Sequence, residues 1–274
     1  MKENPRQPYV LGHGSEEHRR LILQSRFLGE LTETVFARAG LAEGMHVLDL
    51  GCGAGDVSLL AAEFVGPNGS VLGVDQSTES VTLARERAKA AGLDNVRFEV
   101  GIIEELRQGG PYDAIVGRLV LLYLKEPAAT LRRLADLVRP GGLFVFHEME
   151  MATAHAVPDV PLYAQCGRWI VEAFTRAGVE TSMGSRQFAI FKEAGLPGPE
   201  MLSGGRVEGH RESQIHEWIA QTIRSLLPMI EKTGVATKEE VGIGTLAERL
   251  RVEVAEKRAV VHAPLLVGAW ARKQ

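Results

Sequence analysis

The sequence predicts an α/β protein: a doubly wound, mostly parallel seven-stranded sheet with an antiparallel last strand, plus helical lid elements. Three observations carry that reading. Between residues 41 and 150, strand-like apolar runs alternate with helix-like segments, the order that parallel strands with covering helices require. A glycine-rich turn, Gly51-Cys52-Gly53-Ala54-Gly55, follows the first of these runs directly. Beyond residue 150 the pattern turns helical, and the last apolar stretch, Ala263 to Ala271, can return as an antiparallel strand beside a segment near Leu202 to Gly209.

Ser15 can cap a first helix whose opening turn holds Glu16 and Glu17, where carboxylates suit the positive helix end, and Gly40 fits its far end. Leu21, Leu28, Leu31 and Val35 recur along it at helical spacing. Strand and helix then alternate: Met45 to Leu50 and Asp56 to Val65; Ser70 to Val74 and Thr78 to Ala91; Val96 to Val100 and a short polar turn. Tyr112 to Val116 is the fourth strand. A helix from about Ala128 to Val138, stopped by Pro140-Gly141-Gly142, leads to the fifth, Leu143 to Phe146. Past this core, Leu162 to Ala177, Gln187 to Ala194, Ser213 to Ile230 and Thr237 to Lys257 read as helices, the last opened by a Thr237-x-x-Glu240 capping box. Pro228, Gly242 and Gly244 put the boundaries of the last two in question. The expected division is a cap helix over residues 1–40, a core over 41–150, and a remainder over 151–274 that holds further strands and the lid helices.

Of 274 residues, 45% are hydrophobic and 24% charged, enough for a full core and unlike a disordered chain. A net charge of -4 and a pI near 6.1, with no Lys/Arg-rich tract, offer nothing to a phosphate backbone, which argues against nucleic acid as a partner. Two cysteines, Cys52 and Cys166, are too few for a disulfide framework or a cysteine-based zinc site, so no metal and a reducing cytoplasm are expected. Residues 1–10 carry no apolar signal-peptide core, and no later stretch stays apolar long enough to span a bilayer, so neither targeting nor membrane insertion is expected. A homodimer remains open.

The string His46-Val-Leu-Asp-Leu-Gly51-Cys-Gly53-Ala-Gly55 runs an apolar strand into three closely spaced glycines and then a helix. Glycine lets backbone approach a ligand without a Cβ clash, and the helix start presents unpaired N–H groups. Asp75 ends the next strand after Val71-Leu-Gly-Val74, where a carboxylate can accept both hydroxyls of a ribose. Alone, these features suit a nicotinamide dinucleotide as well as an adenosyl cofactor. Two details favour the adenosyl reading. The spacing is Gly-x-Gly-x-Gly rather than Gly-x-Gly-x-x-Gly, and Asp49 and Asp56 place negative charge around the turn, which disfavours a pyrophosphate and suits an amino group and a sulfonium.

In these residues the chain resembles the class I, Rossmann-like S-adenosylmethionine-dependent methyltransferases. His46 to Gly55 is similar to their first cofactor motif and Gly73-Val-Asp75-Gln76-Ser77 to the second. Tyr112-Asp113-Ala-Ile-Val and Leu137-Val-Arg-Pro-Gly-Gly142 are similar to their fourth-strand signature and the approach to the fifth. The resemblance implies S-adenosylmethionine as cofactor, with Gly51, Cys52 and Gly53 against its methionyl and ribose portion, Asp75 on the ribose hydroxyls and Gln76 beside the adenine. Gly101-Ile102-Ile103-Glu104-Glu105-Leu106 stands where similar enzymes often have Gly-Asp-Ala-Glu-Glu-Leu, with the Asp on the adenine amino group. Ile102 replaces that Asp, which leaves the Ile103 N–H to meet the ring and Ile102 to pack on its face. Arg118 matches a position whose backbone often touches the cofactor's amino group.

Upstream, Tyr9-Val-Leu-Gly12 with Glu17-x-x-Arg20-Leu21-x-x-Gln24 resembles a preface of bacterial and fungal small-molecule methyltransferases. Glu17, Arg20 and Gln24 share a helical face, so Arg20 can reach the methionyl carboxylate while Tyr9 closes the pocket about a Gly12-His13-Gly14 hinge. The alternative reading of that face is a solvated charged surface with a Glu17–Arg20 pair.

Methyl transfer from a sulfonium is an in-line displacement, so the protein mainly aligns and desolvates, and a base is needed only where the acceptor must lose a proton. Such a base belongs at the carboxyl ends of the fourth and fifth strands. His147 and Glu148 end the fifth. Alternate residues face opposite sides, so one of the two should serve, and His147 has the ordinary pKa suited to a base near neutrality. A hydrogen-bonded structural histidine is the competing reading. Segments 151–184 and 211–258, with Trp169, Phe174, Trp218 and Met229, read first as packing and second as a pocket for an apolar substrate. The expected function is methylation of a small, partly apolar organic molecule at oxygen, nitrogen or carbon. One competitor is a methyltransferase of protein or nucleic acid, against which Gly117-Arg-Leu-Val120 stands in place of an Asn/Asp-Pro-Pro-Tyr/Phe motif. The other is a protein of this fold that binds the cofactor without transferring a methyl.

Overall fold

The computed structural model describes residue 11, residues 15–107 and residues 109–274. In chain order its elements are α1 (Ser15–Ala39), β1 (His46–Leu50), α2 (Asp56–Val65), β2 (Ser70–Asp75), α3 (Thr78–Ala90), β3 (Val96–Val100), β4 (Tyr112–Arg118), α4 (Pro127–Leu134) and β5 (Val138–Glu150). There follow β6 (His155–Val157), α5 (Pro161–Arg176), α6 (Met183–Glu193), β7 (Glu200–Gly204), β8 (Val207–Glu208), α7 (Ile215–Lys232), α8 (Lys238–Val241), α9 (Leu246–Glu256), β9 (Val260–His262) and β10 (Leu265–Arg272). They group into two compact units: a sheet unit of residues 28–148, 183–203 and 266–274, and a helical unit of residues 1–27, 149–182 and 204–265.

In the sheet unit seven strands lie in the order β3-β2-β1-β4-β5-β10-β7. β1 pairs in parallel with β2 and β4, β2 with β3, and β4 with β5. β10 and β7 supply the antiparallel edge, and Lys273 exchanges backbone hydrogen bonds with Gly141 and Gly142, tying the end of β10 to the start of β5. Val47, Leu48, Leu50, Ala114, Ile115, Val116 and Leu143 to Phe146 are all buried, the continuous apolar runs of strands covered on both faces. Val35 and Phe36 of α1 belong to the same core as Val81 and Ala84 of α3 and Trp270 of β10. A Cβ on Gly268 would stand 2.5 Å from Val35, so glycine there is what lets α1 approach β10. The strand order reverses between β1 and β4, and open sheets of this kind bind ligands at the carboxyl ends flanking such a switch point.

Two expected boundaries move. The helix after β4 ends at Leu134 in a single 3-10 turn, and β5 already starts at Val138 and runs through Arg139-Pro140-Gly141-Gly142, with Gly141 at φ 77° where its register against β4 shifts. α6 begins at Met183 rather than Gln187, because its first turn buries Met183 and Gly184.

The helical unit packs α5 on α7 and α7 on α9. Ile219, Ile223, Leu226 and Ile230 recur along α7 at the three-to-four spacing of one buried stripe, while α5 buries Trp169 and Phe174 and α9 buries Leu246, Leu250 and Val254. Pro228 sits inside α7 without ending it. The single helix expected over Thr237 to Lys257 is two. The Thr237–Glu240 capping box opens α8, Gly242 ends it in the left-handed conformation at φ 55°, and α9 starts afresh at Leu246. A small antiparallel sheet, β6-β9-β8, was not foreseen. Among the described residues no helix is long and apolar enough to cross a membrane.

Candidate functional site

In the sheet unit the turn between β1 and α2 is built from backbone hydrogen bonds. Gly51 and Cys52 both donate their N–H groups to the Val74 carbonyl, at 2.8 and 3.1 Å, and Gly55 donates to the Cys52 carbonyl at 2.8 Å. Gly51, Gly53 and Gly55 have φ of 64°, 52° and 87°, a left-handed path that disfavours any residue with a Cβ. At Gly51 the space is closed as well, since a Cβ would come within 2.8 Å of Val120 and 3.9 Å of Ile103. Gly55 caps α2 without any side-chain hydrogen bond to the helix start.

Asp75, at the end of β2, clasps this turn. Its Oδ2 accepts the Gly53 N–H and its Oδ1 the Ser77 N–H, each at 2.9 Å. A carboxylate has about four acceptor positions, so the two oxygens keep capacity for further donors, and the side chain is only half-buried. Gln76 beside it is exposed, and Ile102 and Ile103 are half-buried at the end of β3. The fold thus brings Gly51, Cys52, Gly53, Asp75 and Ile103 around one turn. An adenosyl cofactor fits this set: the glycines leave room for its backbone approach, the bare start of α2 offers donors, and Asp75 retains acceptors for two hydroxyls.

The two acids expected to present negative charge at the turn do not. Asp56 is paired with Arg87 at 2.7 Å, and Arg87 also donates to the Ala54 carbonyl at 2.6 Å. Asp49 is fully buried, accepts the Ser58 hydroxyl at 2.6 Å, and is pushed up by burial to about 7. The charge that favoured a sulfonium in the sequence is therefore spent on the scaffold.

At the end of β4 Arg118 donates to the Thr32 hydroxyl at 3.2 Å, and burial lowers its guanidinium pKa although Asp56 and Asp49 oppose that shift. The next residue, Leu119, is left-handed at φ 56° and donates its N–H to the His147 carbonyl at 2.8 Å. Such strain in a non-glycine residue clusters at functional sites, and no sequence signal marks Leu119 for it. His147, paired in register with Arg118, is fully buried, with its ring edge-on to Phe36 at 5.7 Å. Among the described residues neither ring nitrogen makes a well-formed hydrogen bond, the Gly117 backbone being a weak neighbour. Burial, and then the Arg118 charge, push the imidazole down to about 3. Glu148 is equally buried. Its Oε1 accepts the Val120 and Leu121 N–H groups at 2.9 and 2.7 Å, its Oε2 has no partner among the described residues, and burial pushes the carboxyl up to about 8 against the pull of the Leu121, Val120 and Leu122 backbone. The sequence named Glu148 only as the lesser of two bases and missed that it pins the loop after β4.

In the helical unit, Arg20 and Gln24 are buried at 3% and 7% exposure, and Arg20 Nη1 donates to Gln24 Oε1 at 2.6 Å. Tyr9 and the Gly12-His13-Gly14 segment lie outside the described residues, as does the Glu17 side chain.

The family described as "Methyltransferase domain" matches residues 41–189. An arsenite methyltransferase of Aquipseudomonas alcaligenes is 34% identical over 46% of this chain and 40% of its own length. A ubiquinone biosynthesis O-methyltransferase of Acinetobacter baumannii is 32% identical over 47% of this chain and 52% of its own. The chain thus spans about half or less of these curated relatives. The YcgJ protein of Bacillus subtilis superposes with a TM-score of 0.58 at 18% identity, covering 90% of this chain and 97% of that one, a likeness of fold.

Proposed function

We propose, from the premise that the chain belongs to the family of methyltransferase domains, that it transfers a methyl group from S-adenosylmethionine to a small, partly apolar organic molecule. The observation that carries this reading is the Asp75 clasp, one carboxylate holding the glycine turn through Gly53 while keeping acceptor positions for a ribose. S-adenosylmethionine supplies a methyl group already activated by its sulfonium. Gly51, Cys52 and Gly53 would line its methionyl and ribose portion, Gln76 and Ile102 would flank the adenine, and the Ile103 N–H would meet the ring. The Arg118 backbone would hold the amino group. Arg20 and Gln24, with Tyr9, are assigned to the carboxylate end and the closing of the pocket.

The protein's part in the chemistry is alignment and exclusion of water. His147 is the assigned base, yet an imidazole held near 3 takes a proton weakly at neutral pH. Base catalysis by this ring therefore requires that ligand binding raise it. That requirement is measurable: the pH–rate profile should have an acidic limb that disappears in His147→Asn, and a profile unchanged by the substitution leaves the ring a packing partner of Phe36.

Arsenic(III) is a soft acceptor that takes thiolates. The chain has two cysteines, Cys52 in the sheet unit and Cys166 in the helical unit; burial pushes the first thiol up and the second to about 12. An organic acceptor fits these residues better than arsenite. Incubation with methyl-labelled cofactor and a metabolite extract tests the whole reading. Label in a small product supports it; label in protein or RNA transfers the chain to the macromolecular class; and cofactor binding with no transfer makes it a binding protein on this fold.

A further inference from the structure

In the sheet unit one cation stands without a counter-ion. Arg118 Nη1 donates to the Thr32 hydroxyl at 3.2 Å, and that hydroxyl directs its own proton to the Leu28 carbonyl at 3.0 Å, so Thr32 accepts from the arginine. Among the described residues no carboxylate pairs with Arg118. The two acids whose charge opposes the effect of its burial are both engaged elsewhere, Asp56 with Arg87 at 2.7 Å and Asp49 with the Ser58 hydroxyl at 2.6 Å. A desolvated charge without its opposite is costly, and folded proteins ordinarily pair it.

The guanidinium has donors to spare. It carries five N–H groups in a flat fork, and Thr32 takes one of them. Arg118 is half-buried, and none of its nitrogens is both sealed from solvent and unpartnered, so the unused Nε and Nη2 edge remains accessible. Strand register fixes where that edge starts from. Leu50 of β1 pairs with Gly117 of β4, and Arg118 pairs with His147 of β5. One step past Leu50 and Gly117, Arg118 therefore stands beside Gly51, the first glycine of the turn, where the strand order reverses between β1 and β4.

We infer that the Arg118 side chain holds the carboxylate of the cofactor's methionyl portion. A guanidinium fork matches a carboxylate with two parallel hydrogen bonds, and the Thr32 bond steadies one side of the fork while the other is left for the ligand. S-adenosylmethionine has one anionic group, and it is bonded to the same carbon as the amino group assigned above to the Arg118 backbone. One residue thus meets both ends of the amino acid. This inference rests on the S-adenosylmethionine reading and gives the carboxylate a holder within the sheet unit, whereas Arg20, the arginine assigned to it from the sequence, donates to Gln24 in the helical unit.

Calorimetric titration of the full chain with S-adenosylhomocysteine and with its carboxamide, in which a neutral amide replaces the carboxylate, tests it. The wild type should prefer the acid by about tenfold or more, the scale of hydrogen bonds between charged groups. Arg118→Gln should reduce that preference to about twofold or less and bind the carboxamide about as well as the wild type does. Arg118→Lys, which keeps the charge and loses the fork, should fall between the two. Equal affinity of the wild type for both probes would overturn the inference and leave the cation to an anionic methyl acceptor. A full preference for the acid in Arg118→Gln would overturn it in favour of Arg20. Equal weakening of both probes in Arg118→Gln would overturn it as well, making the arginine a support of the turn alone. Failure of both probes to bind the wild type would instead count against the S-adenosylmethionine reading.

Discussion

The sheet unit and the helical unit place their buried polar groups by different means. In the sheet unit three of the groups are ionisable and burial disfavours their charged forms: Asp49 is raised to about 7, Glu148 to about 8, and His147 is lowered to about 3. Their partners are mostly local or backbone, as where Glu148 takes two N–H groups from the loop after β4. In the helical unit burial lowers the His216 imidazole, whereas the Trp218 N–H and Gln221 Oε1, unpaired among the described residues, never carry charge; Phe27 of α1 stacks on the first side chain and Glu217 in the preceding turn accepts from the second. The first arrangement suits a ligand whose chemistry is common to a family, because backbone and glycine provide it. The indole and the amide of the second add nothing to the pH dependence of stability, since neither titrates.

The largest expected effect is on the sheet unit alone. Gly53→Val places a β-branched residue at φ 52° and should lower affinity for S-adenosylhomocysteine by about a hundredfold or more, while the variant keeps its fold by circular dichroism. Asp75→Ala comes next, with a loss of about 1.5–3 kcal/mol in cofactor binding, the usual worth of hydrogen bonds to a charged group. Calorimetry checks both, and an undiminished affinity in either would place the cofactor elsewhere.

Stability against pH separates the units further. Glu148 is held near 8 in the folded protein against an ordinary 4.5, so between those values the folded state keeps a proton that the unfolded state has lost. Stability from this group is complete below 4.5 and is lost as pH rises towards 8. Asp49, near 7 against 3.8, acts in the same direction over a lower window. His147 acts oppositely, with its contribution complete above 6.5 and lost as pH falls towards 3. From pH 6.5 to 8 only the carboxyls remain, and stability should fall by about 2 kcal/mol. Glu148→Gln should flatten that fall in denaturant titrations across the range; an equally steep fall in the variant would assign the proton elsewhere. The smallest effect belongs to the helical unit: Thr237→Ala removes the cap of α8 and should cost about 1 kcal/mol without changing cofactor affinity.

Legibility in the sequence follows the same line between the units. β1 to β4 and the helices between them announce themselves through apolar runs and closing glycines, and the turn residues Gly51, Gly53 and Asp75 gather as their order along the chain implies. β6, β8 and β9 are two or three residues long, too short for alternation to emerge, and they exist through pairing across the chain, as His155 with both His262 and its ring does. The break at Gly242 was flagged by composition yet needed its left-handed backbone to be located. The roles of Asp49 and Asp56 were misjudged because Ser58 and Arg87, which absorb them, carry no mark of that task in sequence. Trp218 was visible only as an aromatic at helical spacing; its stack on Phe27 and its unpaired N–H belong to packing.

The proposed S-adenosylmethionine site is the Gly51–Gly55 turn clasped by Asp75. Calorimetric titration of S-adenosylhomocysteine into the wild type and into folded Gly53→Val, with and without excess NAD, tests it most directly. The wild type should bind S-adenosylhomocysteine saturably and one-to-one with no change on adding NAD, and the variant should bind it about a hundredfold more weakly or not at all. Undiminished binding to the folded variant, or displacement of S-adenosylhomocysteine by NAD, would contradict it.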